Sequence, residues 1–272
     1  MEQLRMKISK ILILFALLTI TACDGLFDYS PYVIDYSGQN KSVNQKNIKK
    51  LFSQKIDDTT IIALTGDTHR FYDETVDFVK AVNKKSSVDL VIHVGDITDF
   101  GLPKQYEWAN SILLKLSSPY FVVVGNHDLV GNGSTAYKEM FGAFNYSFIY
   151  DSLKFIFVNT NSREFKFSGN VPDINWLEAQ LQPNDNFTNA VVIFHVPPMD
   201  GDFNSSLEQA FHNTLTRYNN VLFATHGHLH HYEIYKPYND SISYINVYGV
   251  EHRKFNIIKI TNNKFEIETC EF

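Results

Sequence analysis

The sequence predicts an α/β domain made of two sheets with helices on the outside, and three observations support this fold class. Short apolar runs alternate with helical patterns in the first half of the chain, an order typical of βαβ units and parallel strands. Polar clusters follow these apolar runs directly. The last part of the chain alternates apolar and polar residues, as antiparallel strands do.

In the first half, three apolar runs rich in β-branched residues predict buried strands at Thr59–Thr65, Asp89–Val94 and Pro119–Val124. Between them, apolar residues recur at helical spacing over Tyr72–Lys84 and Pro103–Leu116. This order of strands and helices predicts that the three strands are parallel neighbours in one sheet.

The second half supplies the remaining elements, and it contains no internal repeat and no low-complexity tract. A hairpin turns at Asp151 and Ser152, two further buried strands follow, and the tail contains three strands predicted to be antiparallel. The predicted elements are strands at Tyr146–Tyr150 and Leu153–Asn159, a helix over Ile174–Leu181, a strand at Ala190–Phe194, a helix near Leu207–Tyr218, a strand at Val221–Thr225, and tail strands at Ser243–Tyr248, Phe255–Ile260 and Phe265–Thr269.

The N-terminus is typical of an export signal. Three basic residues precede the apolar run Ile11–Ile20, which is too short to span a bilayer comfortably. The run ends in Ile20–Cys23, which resembles the bacterial lipobox, where the cysteine is lipidated and becomes the new N-terminus. We therefore predict a signal peptide over residues 1–22, lipidation of Cys23, and a membrane-anchored location in the bacterial cell envelope. An ordinary secretory signal cleaved near Ala22 is the alternative.

Composition and charge limit which structures and partners are expected for the rest of the chain. Residues 23–57 are too apolar for a free tether and are predicted to be an anchor and docking segment, followed by the main domain over 58–272. The formal net charge is −6, so the chain lacks the excess of basic residues that is typical of nucleic-acid-binding proteins. If Cys23 is acylated, Cys270 is the only thiol left and no intramolecular disulfide forms. The oligomeric state stays open.

Five polar clusters follow predicted strands, and together they supply carboxylate, imidazole and amide groups. Ligands of α/β sheets bind beyond the carboxyl ends of strands, which is where these clusters fall. These groups supply more ligands than one tetrahedral ion needs. A site for two metal ions, with Asp96 bridging them, fits this number of ligands. Imidazole suits zinc or iron and carboxylate suits manganese, so the sequence leaves the metal open. The candidate metal ligands are Asp67, His69, Asp96, Asn126, His195, His228 and His230.

In these motifs the chain resembles the calcineurin-like metallophosphoesterase family. The family's blocks D-x-H, GD, GNHD, H and GH-x-H all occur in the family order, and the resemblance runs from about Thr59 to Ile260. It implies a four-layer α/β/β/α sandwich and a metallophosphoesterase domain over 58–272. It also implies metal-dependent hydrolysis of a phosphate ester by a hydroxide activated between two divalent ions.

The resemblance assigns a role to each candidate residue. His127 would face the phosphate, and Asp128 would orient it by a hydrogen bond. From their positions beside the motifs, and not from the resemblance, Arg70 and His226 are weaker candidates for substrate contacts, and Asp99 is expected to orient local hydrogen bonds. For Arg70 a surface or structural ion pair is the alternative. The first metal would be held by Asp67, His69, Asp96 and His230, and the second by Asp96, Asn126, His195 and His228.

Differences between this chain and two branches of the family limit the kinds of phosphate ester that it is expected to hydrolyse. Purple acid phosphatases have a tyrosine ligand where this chain has Asp99, so an iron(III)–tyrosinate centre is not expected. Protein Ser/Thr phosphatases usually have glycine and glutamate where this chain has Arg70 and Asp128. These differences favour phosphodiester over monoester hydrolysis. Hydrolysis of a pyrophosphate or phospholipid headgroup, and a non-catalytic surface lipoprotein that uses the fold as a binding module, are the alternatives.

Overall fold

The computed structural model describes residues 30–54, 58–85, 87–239 and 241–272, together with positions 3 and 6. Its contacts divide the chain into two units, Met1–Val33 and Ile34–Phe272, and the second contains every element named below. The predicted lipidation site Cys23 and nearly all of the predicted signal peptide lie outside the described residues. No helix in the described part of the chain is long and apolar enough to cross a membrane.

The second unit contains six helices and eleven strands among its described residues. Most boundaries lie within two or three residues of the predicted ones. In chain order the elements are α1 (Val43–Leu51), β1 (Thr59–Thr65), α2 (Tyr72–Asn83), β2 (Leu90–His93), α3 (Pro103–Leu113), β3 (Tyr120–Val122), α4 (Gly133–Met140), β4 (Tyr146–Tyr150), β5 (Leu153–Phe157), α5 (Ile174–Leu181), β6 (Asn189–Ile193), α6 (Glu208–Thr216), β7 (Val221–His226), β8 (Glu233–Tyr235), β9 (Tyr244–Asn246), β10 (Lys254–Thr261) and β11 (Lys264–Glu271).

The strands form two mixed sheets. The first has the order β11-β10-β1-β2-β3, in which β1, β2 and β3 are parallel and β10 and β11 are antiparallel additions. The second has the order β4-β5-β6-β7-β9-β8, in which β4 and β8 are antiparallel edges. The five predicted polar clusters follow the parallel strands β1, β2 and β3 of the first sheet and β6 and β7 of the second.

Three apolar cores lie between the four layers of the domain. Successive side chains of a strand point to opposite faces of its sheet, so one strand can contribute to two cores. Ile62 and Leu64 of β1 pack in a core between the two sheets, and Ala63 packs with the helices outside the first sheet. A third core joins the second sheet to α5 and α6, where Leu177 and Phe211 are fully buried. The predicted fold class, two mixed sheets flanked by helices, is confirmed.

Helix α1 covers the open edge of the first sheet. Strand β3 is the last strand on that side, and Asn44 and Asn47 of α1 hydrogen-bond its backbone. The Asn44 side chain donates to the Val122 carbonyl at 3.4 Å and accepts from the Val122 amide at 3.3 Å, and Asn47 donates to the Tyr120 carbonyl at 2.6 Å. These contacts satisfy edge groups that would otherwise be free to pair with another chain.

Three local predictions differ from the structure. The segment Tyr244–Asn246 was expected to be antiparallel in the tail, but as β9 it lies in the second sheet and is parallel to β7. Helix α4 and the short strand β8 were not predicted. Helix α4 begins with Gly133, Ser134 and Thr135, which are poor helix formers, and its packed face of Ala136, Tyr137 and Met140 stabilises it.

Candidate metal centre

Most of the predicted ligands have an unusual backbone conformation. A positive φ is disfavoured for residues other than glycine and occurs at functional sites when the surrounding structure enforces it. Hydrogen bonds between loops enforce it here: the Asp67 amide donates to the Gly95 carbonyl at 3.0 Å, and the His69 amide donates to the Asp96 carbonyl at 3.1 Å. The ligands with positive φ are Asp67 (49°), His69 (43°), Asp96 (54°), His228 (74°) and His230 (60°).

Asp96 occupies the middle of the centre and is 1% exposed. Its Oδ2 lies 3.2 Å from His195 Nε2 and 3.7 Å from His69 Nε2. Its Oδ1 accepts a hydrogen bond of 2.9 Å from the His127 amide. One carboxylate oxygen therefore faces a histidine from each of the two predicted ligand sets.

The first ligand set is compact. Asp67, His69 and His230 offer ligand atoms that lie within 4.8 Å of one another. His230 Nε2 is 3.6 Å from Asp67 Oδ1, and the rings of His69 and His230 stack with centroids 5.3 Å apart. Asp67 Oδ2 is buried and has no hydrogen-bond partner among the described residues. A buried carboxylate oxygen without a donor is unfavourable unless a cation offsets its charge, so this arrangement fits a bound metal ion.

The second ligand set converges on the amide of Asn126. Its Oδ1 lies 3.0 Å from His195 Nε2 and 3.1 Å from His228 Nδ1. His195 donates from its other ring nitrogen, Nδ1, to the Val94 carbonyl at 2.8 Å. This bond fixes the ring so that Nε2 faces Asn126 and Asp96 and would be the nitrogen that binds a metal ion.

Two glycines allow the backbone to approach these carboxylates. A Cβ on Gly125 would lie 2.1 Å from Asp96 Oδ1, and a Cβ on Gly227 would lie 2.7 Å from Asp67 Oδ2. Both separations are shorter than non-bonded atoms allow. The glycines of the GNHD and GH-x-H motifs are therefore steric requirements of the centre.

The charges of the centre depend on one another. Burial raises the pKa of Asp67 to about 6. Burial also disfavours charge on Asp96 and His195, but their attraction for each other outweighs it. The pKa of Asp96 is therefore held well below its ordinary value, and that of His195 is raised to about 10. The carboxylates thus favour positive charge at the position between them.

No described hydrogen bond joins the Asp128 side chain to His127, the residue that it was predicted to orient. It is fully buried, and its carboxylate accepts hydrogen bonds from the amides of Gly125 (2.9 Å), Ile97 (3.3 Å) and Thr98 (2.9 Å) and from the Thr98 hydroxyl (2.9 Å). These bonds join the loop after β3 to the loop after β2. Asp128 is a positioning residue for the two loops that carry Asn126 and Asp96.

His127 is oriented by the backbone of Asp99 instead. His127 Nδ1 donates to the Asp99 carbonyl at 2.9 Å, and its side chain is 42% exposed beside the centre. The Asp99 carboxylate holds the guanidinium of Arg70, with Nη1 at 3.2 Å, and the Arg70 side chain is 69% exposed. The structure therefore brings His127 and Arg70 to the open side of the centre.

His226 does not lie where a substrate could contact it. It is fully buried, its Nδ1 donates to the Gly227 carbonyl at 2.9 Å, and its Nε2 accepts from the Tyr235 hydroxyl at 2.8 Å. Its ring stacks on Phe194 at a centroid distance of 5.5 Å. The proposed weak substrate role is therefore not supported by its position, which is in the core behind the ligands.

Two acidic residues near the ligands were missed by the sequence analysis. Glu251 Oε1 lies 2.7 Å from His230 Nδ1, and Asp200 Oδ1 lies 3.4 Å from His228 Nε2. Neither residue belongs to a motif or directly follows a strand that was predicted to carry a ligand. No spacing in the sequence distinguishes them from other acidic residues.

Comparison with known proteins agrees with this geometry. The family model of calcineurin-like phosphoesterases matches residues 60–232, more than half of the chain. A curated protein of Arcobacter nitrofigilis, named "Probable glycerophosphodiester phosphodiesterase", is 26% identical over 195 residues, which cover 62% of this chain and 71% of that protein.

Solved structures show the same fold at low sequence identity. A dimetal phosphatase from Danio rerio superposes with a TM-score of 0.64 and 14% identity, covering 78% of this chain and 96% of that one. A purple acid phosphatase from yellow lupin superposes with a TM-score of 0.62 and 15% identity, covering 78% of this chain and 51% of that one. At these sequence identities the likenesses show a shared fold.

The close approach of Gly125 to Asp96 gives a first prediction. In Gly125→Ala the new Cβ would collide with the Asp96 carboxylate and with the Asp96 backbone nitrogen, which is 2.2 Å away, so the loop after β2 would shift and we expect the purified variant to bind much less Mn²⁺. Gly201→Ala is the matched control, because nothing lies within 4 Å of a Cβ at that position. Equal metal contents in the two variants, measured by mass spectrometry of the metal, would contradict the steric argument.

His93, which is not among the candidate ligands, joins the first two motif loops. It is fully buried, its Nδ1 accepts from the Gly95 amide at 3.3 Å, and its Nε2 donates to the Thr68 hydroxyl at 3.0 Å. That hydroxyl donates onward to the Ile97 carbonyl at 3.4 Å. Burial lowers the pKa of His93 to about 3, so the folded protein keeps this ring neutral in mild acid.

The second prediction follows from this pKa. Between about pH 6.5 and pH 3 the unfolded chain binds a proton at His93 that the folded chain does not, so stability falls as the pH falls through this window. The free energy of unfolding of the wild type should fall between about pH 7 and pH 5. We expect this fall to be about 2 kcal/mol smaller in His93→Gln. Urea unfolding of both proteins at each pH measures the difference, and equal slopes would contradict the assignment.

Proposed function

Because the chain belongs to the calcineurin-like phosphoesterase family and is a hydrolase of phosphate esters, we propose that it cleaves phosphodiesters at a centre of two divalent metal ions. The observation that carries this proposal is the convergence of two ligand sets on one buried carboxylate, Asp96, whose Oδ2 faces His195 at 3.2 Å and His69 at 3.7 Å. A carboxylate in that position can be shared between two ions.

The residues present fit such ions. Nitrogen and oxygen donors of this kind bind manganese, iron or zinc, and the unpartnered Oδ2 of Asp67 supports a cation beside it. Asp96 would be common to both ions. The first ion would be held additionally by Asp67, His69 and His230, and the second by Asn126, His195 and His228.

The bound ions would supply an activated water and offset the charge on the phosphate. His127 would hold a proton for the leaving oxygen: its Nδ1 is occupied by the Asp99 carbonyl, so Nε2 is the nitrogen available to the substrate. Arg70 would bind a substrate oxygen, because its guanidinium is held by Asp99 and is largely exposed. Asp128 and Asp99 would act only by holding these groups in place.

Two features support a diester as the substrate. The curated relative is named as a glycerophosphodiester phosphodiesterase, and the position of the tyrosine ligand of purple acid phosphatases is Asp99 in this chain. Asp99 contacts Arg70 at 3.2 Å. A non-catalytic binding role would not require the ligands, and the chain retains all seven of them.

The third prediction tests the reaction. We expect the purified full-length chain with Mn²⁺ to hydrolyse bis-p-nitrophenyl phosphate with a higher kcat/KM than p-nitrophenyl phosphate. Asp96→Ala should reduce both rates to background, because it removes the carboxylate shared by the ions. His127→Ala should lower kcat by roughly 10²–10⁴ for an alkyl leaving group, and by less for nitrophenol, which leaves without a proton.

A chelator-resistant activity, or an active Asp96→Ala protein, would overturn the two-metal proposal. A higher kcat/KM for the monoester would leave the hydrolase assignment intact and reverse the proposed substrate preference. An equal loss in His127→Ala for both leaving groups would exclude His127 as the proton donor.

We also propose that the chain is exported and anchored by lipid at Cys23 in the bacterial cell envelope. The support is the lipobox-like sequence Ile20–Cys23 after a basic and apolar segment. The fourth prediction is that cells expressing the chain incorporate labelled palmitate into it and that Cys23→Ala abolishes the label. Equal labelling of the two proteins would contradict lipidation at this cysteine.

A further inference from the structure

We infer that Asp200 and Glu251 are positioning residues of the centre, each fixing one histidine ligand from the side that points away from the other ligands. Glu251 does so by a hydrogen bond of 2.7 Å, and Asp200 by a carboxylate contact of 3.4 Å. Glu251 would act on the first metal position through His230, and Asp200 on the second through His228. The inference rests on the proposed function, because it concerns how the chain's own residues prepare for the ions.

His230 is held between the centre and Glu251. Its Nε2 faces the predicted ligand Asp67, with 3.6 Å between Nε2 and Asp67 Oδ1. Its Nδ1, on the other side of the ring, donates to Glu251 Oε1 at 2.7 Å. This bond fixes the ring plane and places the proton on Nδ1, which leaves the lone pair of Nε2 toward the centre.

His228 has the same arrangement with the nitrogens exchanged. Its Nδ1 lies 3.1 Å from Asn126 Oδ1, and its Nε2 lies 3.4 Å from Asp200 Oδ1. Asp200 is therefore on the outer side of the ring. A carboxylate beside Nε2 favours the proton on that nitrogen. Nδ1 would then be the nitrogen that binds a metal ion, in place of its present hydrogen bond to Asn126.

His69, the fourth histidine of the ligand sets, has a buried Nδ1 without a hydrogen-bond partner among the described residues. His195, in contrast, is held in a similar way to His228 and His230. Its outer nitrogen donates to a backbone carbonyl, that of Val94, at 2.8 Å. His195, His228 and His230 thus each have an oxygen acceptor on the nitrogen that faces away from the other ligands. Two of the three acceptors are carboxylates, which also make the imidazole a stronger base and therefore a better ligand.

The fold places the two carboxylates by separate loops. Glu251 lies in a 3₁₀ turn after β9 that is fixed by the Val250 amide, which donates to the Gly66 carbonyl at 3.2 Å. Asp200 lies in the loop after β6, where the Met199 amide donates to Glu208 Oε1 at 3.0 Å. Because no described hydrogen bond joins these loops, their effects on the two metal positions can be separated.

Four variants test the inference by metal binding as well as by activity. In the metal-stripped full-length chain, titration calorimetry with Mn²⁺ should resolve two binding steps. We expect Glu251→Ala to weaken one step by roughly 10–100-fold and Asp200→Ala to weaken the other by a similar factor. Glu251→Gln and Asp200→Asn should lose less affinity, because an amide oxygen still accepts the hydrogen bond.

A spectroscopic measurement separates positioning from a general structural role. In the Co²⁺-loaded chain, the ring N–H protons of bound histidines give strongly shifted NMR signals that exchange with water. The His230 N–H should exchange faster in Glu251→Ala, and the His228 N–H should exchange faster in Asp200→Ala, while the amide variants keep slower exchange. Glu233→Gln is the matched control, because its carboxylate contacts His231, which is not a predicted ligand, at 3.4 Å.

The outcomes distinguish the inference from the proposed function. If the wild-type chain binds no Mn²⁺, the proposed two-metal function fails and the inference fails with it. If the wild type binds two ions and both alanine variants bind them with unchanged affinity and exchange rates, only the inference is overturned. Weakening of the same step by both variants would also overturn the assignment of one carboxylate to each metal position.

Discussion

The arrangement of the centre depends on one interaction, the contact of the buried Asp96 carboxylate with histidines from both sheets. An isolated carboxylate with 1% exposure would be strongly unfavourable, because burial removes its hydration. Here His69 approaches it from the loop after β1 and His195 from the end of β6. The attraction between these groups offsets the burial and draws the ends of the two sheets together.

The loops that carry these groups are fixed by hydrogen bonds among themselves. His195 donates to the carbonyl of Val94, which links β6 of the second sheet to β2 of the first at 2.8 Å. Asp128 accepts three hydrogen bonds from Ile97 and Thr98 that join the loops after β2 and β3, and a fourth from Gly125 in its own loop. These hydrogen bonds fix the backbone of the loops in one conformation. Asp67 and Asp96 can therefore hold a positive φ that neither would adopt in a free loop.

The sequence was sufficient to predict what depends on periodicity and strand ends. Strand β1 begins at Thr59 and ends at Thr65, as predicted, because a buried β-branched run leaves little choice of structure. The sequence also predicted that polar residues after these strands would meet at one edge. It could not predict the partners of Asp128, Asp200 or Glu251, because these hydrogen bonds join loops that are distant in the chain and follow no fixed spacing. Helix α4 was missed for a related reason, since packing and not propensity stabilises it.

Asp99 shows how one residue outside the ligand set can connect several functions of the centre. Its carbonyl orients His127, and its carboxylate holds Arg70 at 3.2 Å and lies 3.8 Å from His69 Nδ1. A charge here therefore acts on a ligand, on the proposed proton donor and on the proposed substrate contact together. Glu251 and Asp200 differ from it because each faces one histidine ligand from its own loop. On the proposed two-metal function, substitutions of Glu251 or Asp200 would change the binding of one ion without altering any ligand. A change at Asp99 would affect an ion, the proton donor and the substrate contact at once.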